Sequence, residues 1–205
     1  MPRADREPAD EDLMRAYAAG DAGAFQRLYL RHEAGLYRFV RRLLGTRLAA
    51  QCDEVFQDAW LRIVVARANY REQPGASWRT WAFTIAHHAA MDRLRVSGRE
   101  LAPERDEDGD DPLEWLMAEA GGVAPSSEDV AYWRAAGARL LECLEALPAP
   151  QRAAFLLHHE DGASVEDLAQ RLALPFETAK SRLRYALKKL RGCMGRYLEA
   201  VEVAR

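Results

Sequence analysis

Glu177, Lys180, Ser181, Arg184, Lys188 and Arg191 recur every three or four residues near the end of a 205-residue chain. In a helix that spacing gathers them on one face. Amines, guanidiniums and a hydroxyl along one helix face can grip phosphate oxygens and donate to base edges, which is the chemistry of duplex DNA recognition. A second set lies further upstream. Trp78 and Trp81 stand beside Arg79, and Thr84, His87, His88 and Arg95 follow at helical spacing. Indole rings next to basic groups can stack on unpaired bases; tryptophans at such spacing equally serve as core. No catalytic set accompanies them. There is no nucleophile–base pair, phosphate loop or metal-ligand spacing, and His158-His159 reads as a helix-end pair. Cys52, Cys143 and Cys193 are scattered without a CxxC, so neither a disulfide framework nor a zinc site is expected, and no cofactor is implied.

The elements that must position these groups are all helical. Ser164 with Asp167 three residues on is a helix-start signal, and Val165, Leu168, Ala169 and Leu172 follow at helical spacing. Ala173-Leu174-Pro175 interrupts the run. A second helix then carries Phe176, Ala179, Leu183, Ala186, Leu187 and Leu190 as an apolar stripe opposite the basic one. Two short helices with a tight turn, the second basic on its outer face, read as a helix-turn-helix. Before it, Trp133 to Leu147 and Gln151 to His159 form two helices separated by Pro148 and Pro150.

Toward the N-terminus, helices are expected over Glu11–Ala19, Ala22–Leu44, Asp53–Ala66 and Trp78–Val96. Asp21 and Ser77 cap the second and fourth, and Gly45 ends the second. Residues 69–76 read as a loop. Trp78, Ala82, Ile85, Ala89 and Val96 form the expected buried stripe of the fourth helix. Asp53 and Glu54 suit a helix N-terminus, where the dipole favours anions.

Charge divides the chain. Residues 1–98 hold 15 Lys/Arg and 12 Asp/Glu, residues 99–130 hold 2 and 11, and residues 131–205 hold 12 and 9. Two mildly basic blocks thus flank a strongly acidic, breaker-rich connector centred on Asp106, Glu107, Asp108, Asp110 and Asp111, a composition that stays extended and solvated. The expected fold is all-α, with two small helical domains (1–98 and 131–205) joined by an acidic flexible linker (99–130). No apolar run approaches the ~20 residues of a membrane span. The N-terminus is polar and acidic, so a cytoplasmic product without membrane insertion is expected.

Two separated stretches resemble one family, the extracytoplasmic-function group of bacterial RNA polymerase sigma factors. The first runs from Leu36-Tyr37-Arg38-Phe39 through Asp53–Ile63 to Trp81–Arg95. The second joins Leu147-Pro148 and Gln151-Arg152 to Glu166-Asp167-Leu168-Ala169 and Thr178–Leu190. The resemblance implies that Asp53, Glu54, Gln57, Asp58 and Leu61 dock on the clamp helices of the polymerase largest subunit, and that the flap is a second contact. It implies that Tyr70, Arg71, Trp78, Arg79, Trp81, Thr84, His87, His88 and Arg95 recognise and open the −10 promoter element. Many members have Arg-Asn where this chain has His87-His88. Glu177, Lys180, Ser181, Arg184, Tyr185 and Lys188 would read the −35 element, with Lys180 and Arg184 on guanine edges or phosphates. The acidic connector would thread positively charged channels of the polymerase. Promoter DNA, core RNA polymerase and an anti-sigma factor are the implied partners, and no small-molecule substrate is implied. Two other readings are a conventional helix-turn-helix regulator, which would bind duplex operators alone, and a decoy that binds an anti-sigma factor or polymerase without promoting transcription.

Overall fold

The computed structural model describes residues 7–70, 77–97 and 127–203, with Asn69, 127–134 and 196–203 described by backbone alone. Arg71 and the acidic run of the connector lie outside the described residues. The chain divides into two compact units, Met1–Arg99 and Glu100–Arg205. No strand occurs among the described residues, and no described helix is long and apolar enough to cross a membrane.

The first unit holds α1 (Asp10–Ala18), α2 (Ala22–Leu44), α3 (Cys52–Ala66) and α4 (Trp78–Val96). Asp21 caps α2 by accepting from the Gly23 and Ala24 N–H groups at 2.8 and 3.2 Å, and Ser77 caps α4 by accepting from Thr80. Gly45, at φ 72°, takes a backbone conformation that a Cβ would strain, and a short 3-10 turn (Thr46–Gln51) leads into α3. A second such turn, Arg67–Asn69, follows α3. Sequence periodicity showed neither, because three to six residues give no recognisable repeat. Leu13, Met14, Leu28, Leu36, Phe39, Leu43, Ile63, Phe83 and Leu94 fill the core between the four helices. Burying each such side chain contributes roughly 1.5–3 kcal/mol, which is why α1, too short to persist alone, is held in place.

The stripe expected on α4 is corrected. Trp78, Ala82 and Ala89 are buried, but so are Phe83, Ala86, His87, Ala90, Met91 and Leu94, while Ile85 is half-exposed and Val96 is open to solvent. Small alanines on this helix fit against neighbours on several sides, so hydropathy alone misplaced the inward direction.

The second unit holds α5 (Ser127–Glu145), α6 (Ala149–Asp161), α7 (Val165–Arg171) and α8 (Phe176–Val203). Two boundaries differ from expectation: α5 starts inside the segment assigned to the connector, and α8 continues twelve residues past Arg191. Arg152 is fully buried at the start of α6 and donates to the Glu145 carbonyl at 3.2 Å, satisfying an orphan acceptor at the end of α5. Cys143 on α5 and Cys193 on α8 form a disulfide. That corrects the expectation of unpaired thiols: the residues are 50 positions apart, and only the packing of α5 against α8 brings them together. Cys52 remains a free, buried thiol.

Candidate nucleic-acid interface

The helix-turn-helix is built by local capping. Gly162, in the left-handed region at φ 72°, ends α6 and donates to the His158 carbonyl at 3.0 Å. Ser164 and Asp167 form a reciprocal capping box at the start of α7. The Ser164 N–H holds the Asp167 carboxyl below its ordinary range. Its contribution is therefore complete above about pH 4, the ordinary carboxylate value, and is lost as pH falls through the lowered value. Ser164→Ala is expected to destabilise the second unit by about 1 kcal/mol, measured by urea unfolding at pH 7. Part of that difference should disappear in acid.

After α7, Ala173 takes φ 51°, the one non-glycine residue with positive φ among those described, and the chain reverses into Pro175 and α8. The buried Asp161 carboxylate at the end of α6 pairs with Arg171 at the end of α7. Leu168, Ala179, Leu183, Ala186, Leu187 and Leu190 lock the two helices together. Phe176, expected in that stripe, is exposed because it stands one turn ahead of Ala179, the first buried residue of α8.

On α8, Glu177, Lys180, Ser181, Arg184 and Lys188 fall within an arc of about 100° at helical spacing, and none is buried. They form one face, as their spacing predicted. Tyr185 is a correction. It lies outside that arc and is only 9% exposed, with the Arg184 guanidinium 5.3 Å from its ring centre.

A comparable face occurs on α4. Trp81, Thr84, Ile85, His88, Asp92 and Arg95 share an arc of about 100° and are half-exposed or exposed. Tyr70 meets Trp81 edge to face, with ring centres 5.1 Å apart. Three of the expected residues do not join this face. Trp78 is wholly buried, its ring against His32 and Trp60, so it offers no surface for stacking. His87 points into the core at 6% exposure, one position round the helix from exposed His88. Arg79 lies on the far side of the helix, its guanidinium 4.7 Å from the Phe83 ring. Ile85 went unnoticed because an isoleucine between buried alanines reads as core.

Along α3, Glu54, Asp58 and Leu61 line up at helical spacing, with Asp53 and Gln57 beside them. Asp53 accepts from the Tyr37 hydroxyl at 2.9 Å, Glu54 pairs with Arg93, and Asp58 pairs with Arg62 at 2.9 Å. Arg62 also reaches Asp92 of α4 at 3.0 Å, so the α3 and α4 faces share an ion-pair seam. Leu61 is 62% exposed, and Val65, one turn further, is 79% exposed. Val65 was not anticipated. A solvent-facing valine at the end of an acidic stripe extends the apolar part of the α3 surface.

Comparison with known proteins agrees with this division. Residues 28–100 match the Sigma-70 region 2 family and residues 137–190 the Sigma-70, region 4 family. ECF RNA polymerase sigma factor SigK of Mycobacterium bovis (strain BCG / Pasteur 1173P2) is 31% identical over 185 residues, covering 89% of this chain and 91% of that protein. ECF RNA polymerase sigma factor SigM of Mycobacterium tuberculosis (strain ATCC 25618 / H37Rv) is 30% identical over 199 residues, covering 97% and 91%. Among solved structures, CnrH in complex with the cytosolic domain of CnrY is similar with a TM-score of 0.58 at 22% identity, covering 94% of this chain and 99% of that one. RpoE in complex with the anti-sigma factor NepR from Bartonella quintana gives 0.57 at 20% identity, covering 83% and 96%. At that identity the solved structures speak for the fold alone. The chain is a two-region sigma factor and belongs to the extracytoplasmic-function group of RNA polymerase sigma factors. It directs the polymerase to promoters.

Proposed function

We propose that the two promoter elements and the polymerase are divided among the three faces described above. The observation that carries this reading is that each face is continuous along its helix and none of its residues is buried. The first unit holds the polymerase through Glu54, Gln57, Asp58 and Leu61, with Asp53 beside them and Val65 extending the apolar end. Its α4 face, with Tyr70, Trp81, Thr84, Ile85, His88 and Arg95, takes the −10 element. Aromatic and hydrogen-bonding groups there can hold bases that have left the stack. The second unit lays α8 in the major groove at −35, with Lys180 and Arg184 toward guanine edges or phosphates and Ser181 and Lys188 in support. The acidic residues between the units act as the connector, occupying positively charged channels of the polymerase. No step requires catalysis by this chain; bond formation belongs to the polymerase, and the site of action is the cytoplasm. An anti-sigma factor is a further partner, by analogy with the RpoE–NepR complex.

Run-off transcription with core polymerase on a pooled promoter library tests the reading. Transcripts that appear only with this protein, and share spaced upstream and downstream elements, are the expected result. Duplex binding by the protein alone, without transcripts, would count against it. Arg184→Ala should lower output from promoters carrying the selected −35 element by roughly tenfold or more, since a good base contact is worth about 1–3 kcal/mol. Core binding should stay unchanged.

A further inference from the structure

Helix α1 precedes both family matches, the first of which begins at residue 28, yet it contacts Arg67 and Trp78, which lie on either side of Tyr70 ahead of the α4 face. On one side the Arg67 guanidinium stands 5.4 Å from the Tyr17 ring centre. On the other, the Glu11 carboxylate accepts from the Trp78 N–H at 2.8 Å across 67 residues of sequence. Trp78 is the first residue of α4, where N–H groups have no partner within the helix. Ser77 satisfies the Thr80 N–H from within the chain's own cap, whereas the Trp78 N–H depends on a different helix. The Trp78 ring also lies 4.7 Å from His32, whose Nε2 meets Asp10 Oδ2 at 2.7 Å. Arg31 then pairs with Asp10 at 2.5 Å and donates to the Pro8 carbonyl at 3.0 Å. Thus Asp10 and Glu11, neighbours on α1, fix the ring and the N–H of the residue that starts α4.

Trp81 follows in the first turn of α4, its N–H donating to the Ser77 carbonyl at 3.2 Å. Where that turn begins decides where the Trp81 ring and its Tyr70 neighbour stand. We infer that Glu11 is a positioning residue for promoter opening, acting through the Trp78 N–H to hold the Trp81–Tyr70 pair where an unstacking base meets it. The inference rests on the assignment of the α4 face to the −10 element. Charged acceptors at a helix N-terminus are strong partners because the bond is charge-assisted and the dipole adds to it. Preset placement matters most while base pairs are still being broken, and less once the bases are already free.

The test compares full-length wild type, Glu11→Ala and Glu11→Gln, each with core polymerase. The templates are a linear duplex promoter on which wild type is active and the same promoter with its −10 region mismatched into a bubble. Glu11→Ala should lose tenfold or more on the duplex and stay within about twofold of wild type on the bubble. Glu11→Gln keeps an acceptor oxygen and should remain within about threefold on both. Three results would overturn the inference: full duplex activity in Glu11→Ala, equal losses on both templates, or a Gln variant no better than Ala. Failure of wild type on every promoter would instead refute the underlying assignment, so the two failures are distinguishable.

Discussion

Asp161→Ala is expected to destabilise the second unit by about 3–5 kcal/mol, the usual result when one member of a buried ion pair is removed. The Asp161 side chain has no exposed surface and Arg171 is 9% exposed. Removing the carboxylate takes a directly paired counter-charge from a guanidinium held largely out of water. The position of the pair sharpens the expectation. It joins the last residue of α6 to the last residue of α7, so its loss loosens the helix that supports α8 as well as lowering stability. Urea unfolding of the full chain measures the first effect and binding to a −35 duplex in the holoenzyme the second. The double variant Asp161→Leu, Arg171→Met removes both charges and should recover most of the stability, because a packed apolar pair avoids the desolvation cost. A loss below 1 kcal/mol in Asp161→Ala would mean the pair behaves like a surface contact.

Reduction of the Cys143–Cys193 bridge should have a similar effect by a different route. A bridge across 50 residues restricts the unfolded chain, and in the chain-entropy account that restriction is worth about 4 kcal/mol. Thermal unfolding with and without dithiothreitol should therefore separate by roughly 15–30 °C for the second unit. Cys143→Ser should match the reduced protein and be insensitive to reductant. The first unit supplies an internal control, since its one cysteine, Cys52, is unpaired and buried; its transition should not move. Coincident curves with and without reductant would show that the bridge adds nothing.

Much of this architecture was legible in the sequence because it is written locally. Asp21, Ser77 and Ser164 each cap the helix that follows them, and the Ser164–Asp167 pair is readable from two letters at fixed spacing. The α8 face was legible too, because basic and apolar residues segregate cleanly around it. On α4 they do not. Alanines fill much of its buried arc, and Trp78 is buried against His32 of α2 and Trp60 of α3, partners distant in sequence. His87 and His88 are identical in type and differ only by one step round the helix, which composition cannot distinguish. The disulfide was illegible for a related reason. Cys143 and Cys193 meet through the packing of two helices, and nothing near either residue in sequence signals the other.

The link from Glu11 to Trp78 also sets an order of events during synthesis. The α1–α2 pair is close in sequence and can assemble as soon as both helices are made. From its own synthesis, the acceptor on Glu11 waits while 67 more residues are added, about 3–13 s at ordinary elongation rates. During that interval α1 is a nine-residue helix, below the length that persists in water on propensity alone, and it depends on α2 to remain formed. Among the described helices, the first to be synthesised is therefore among the last to be completed.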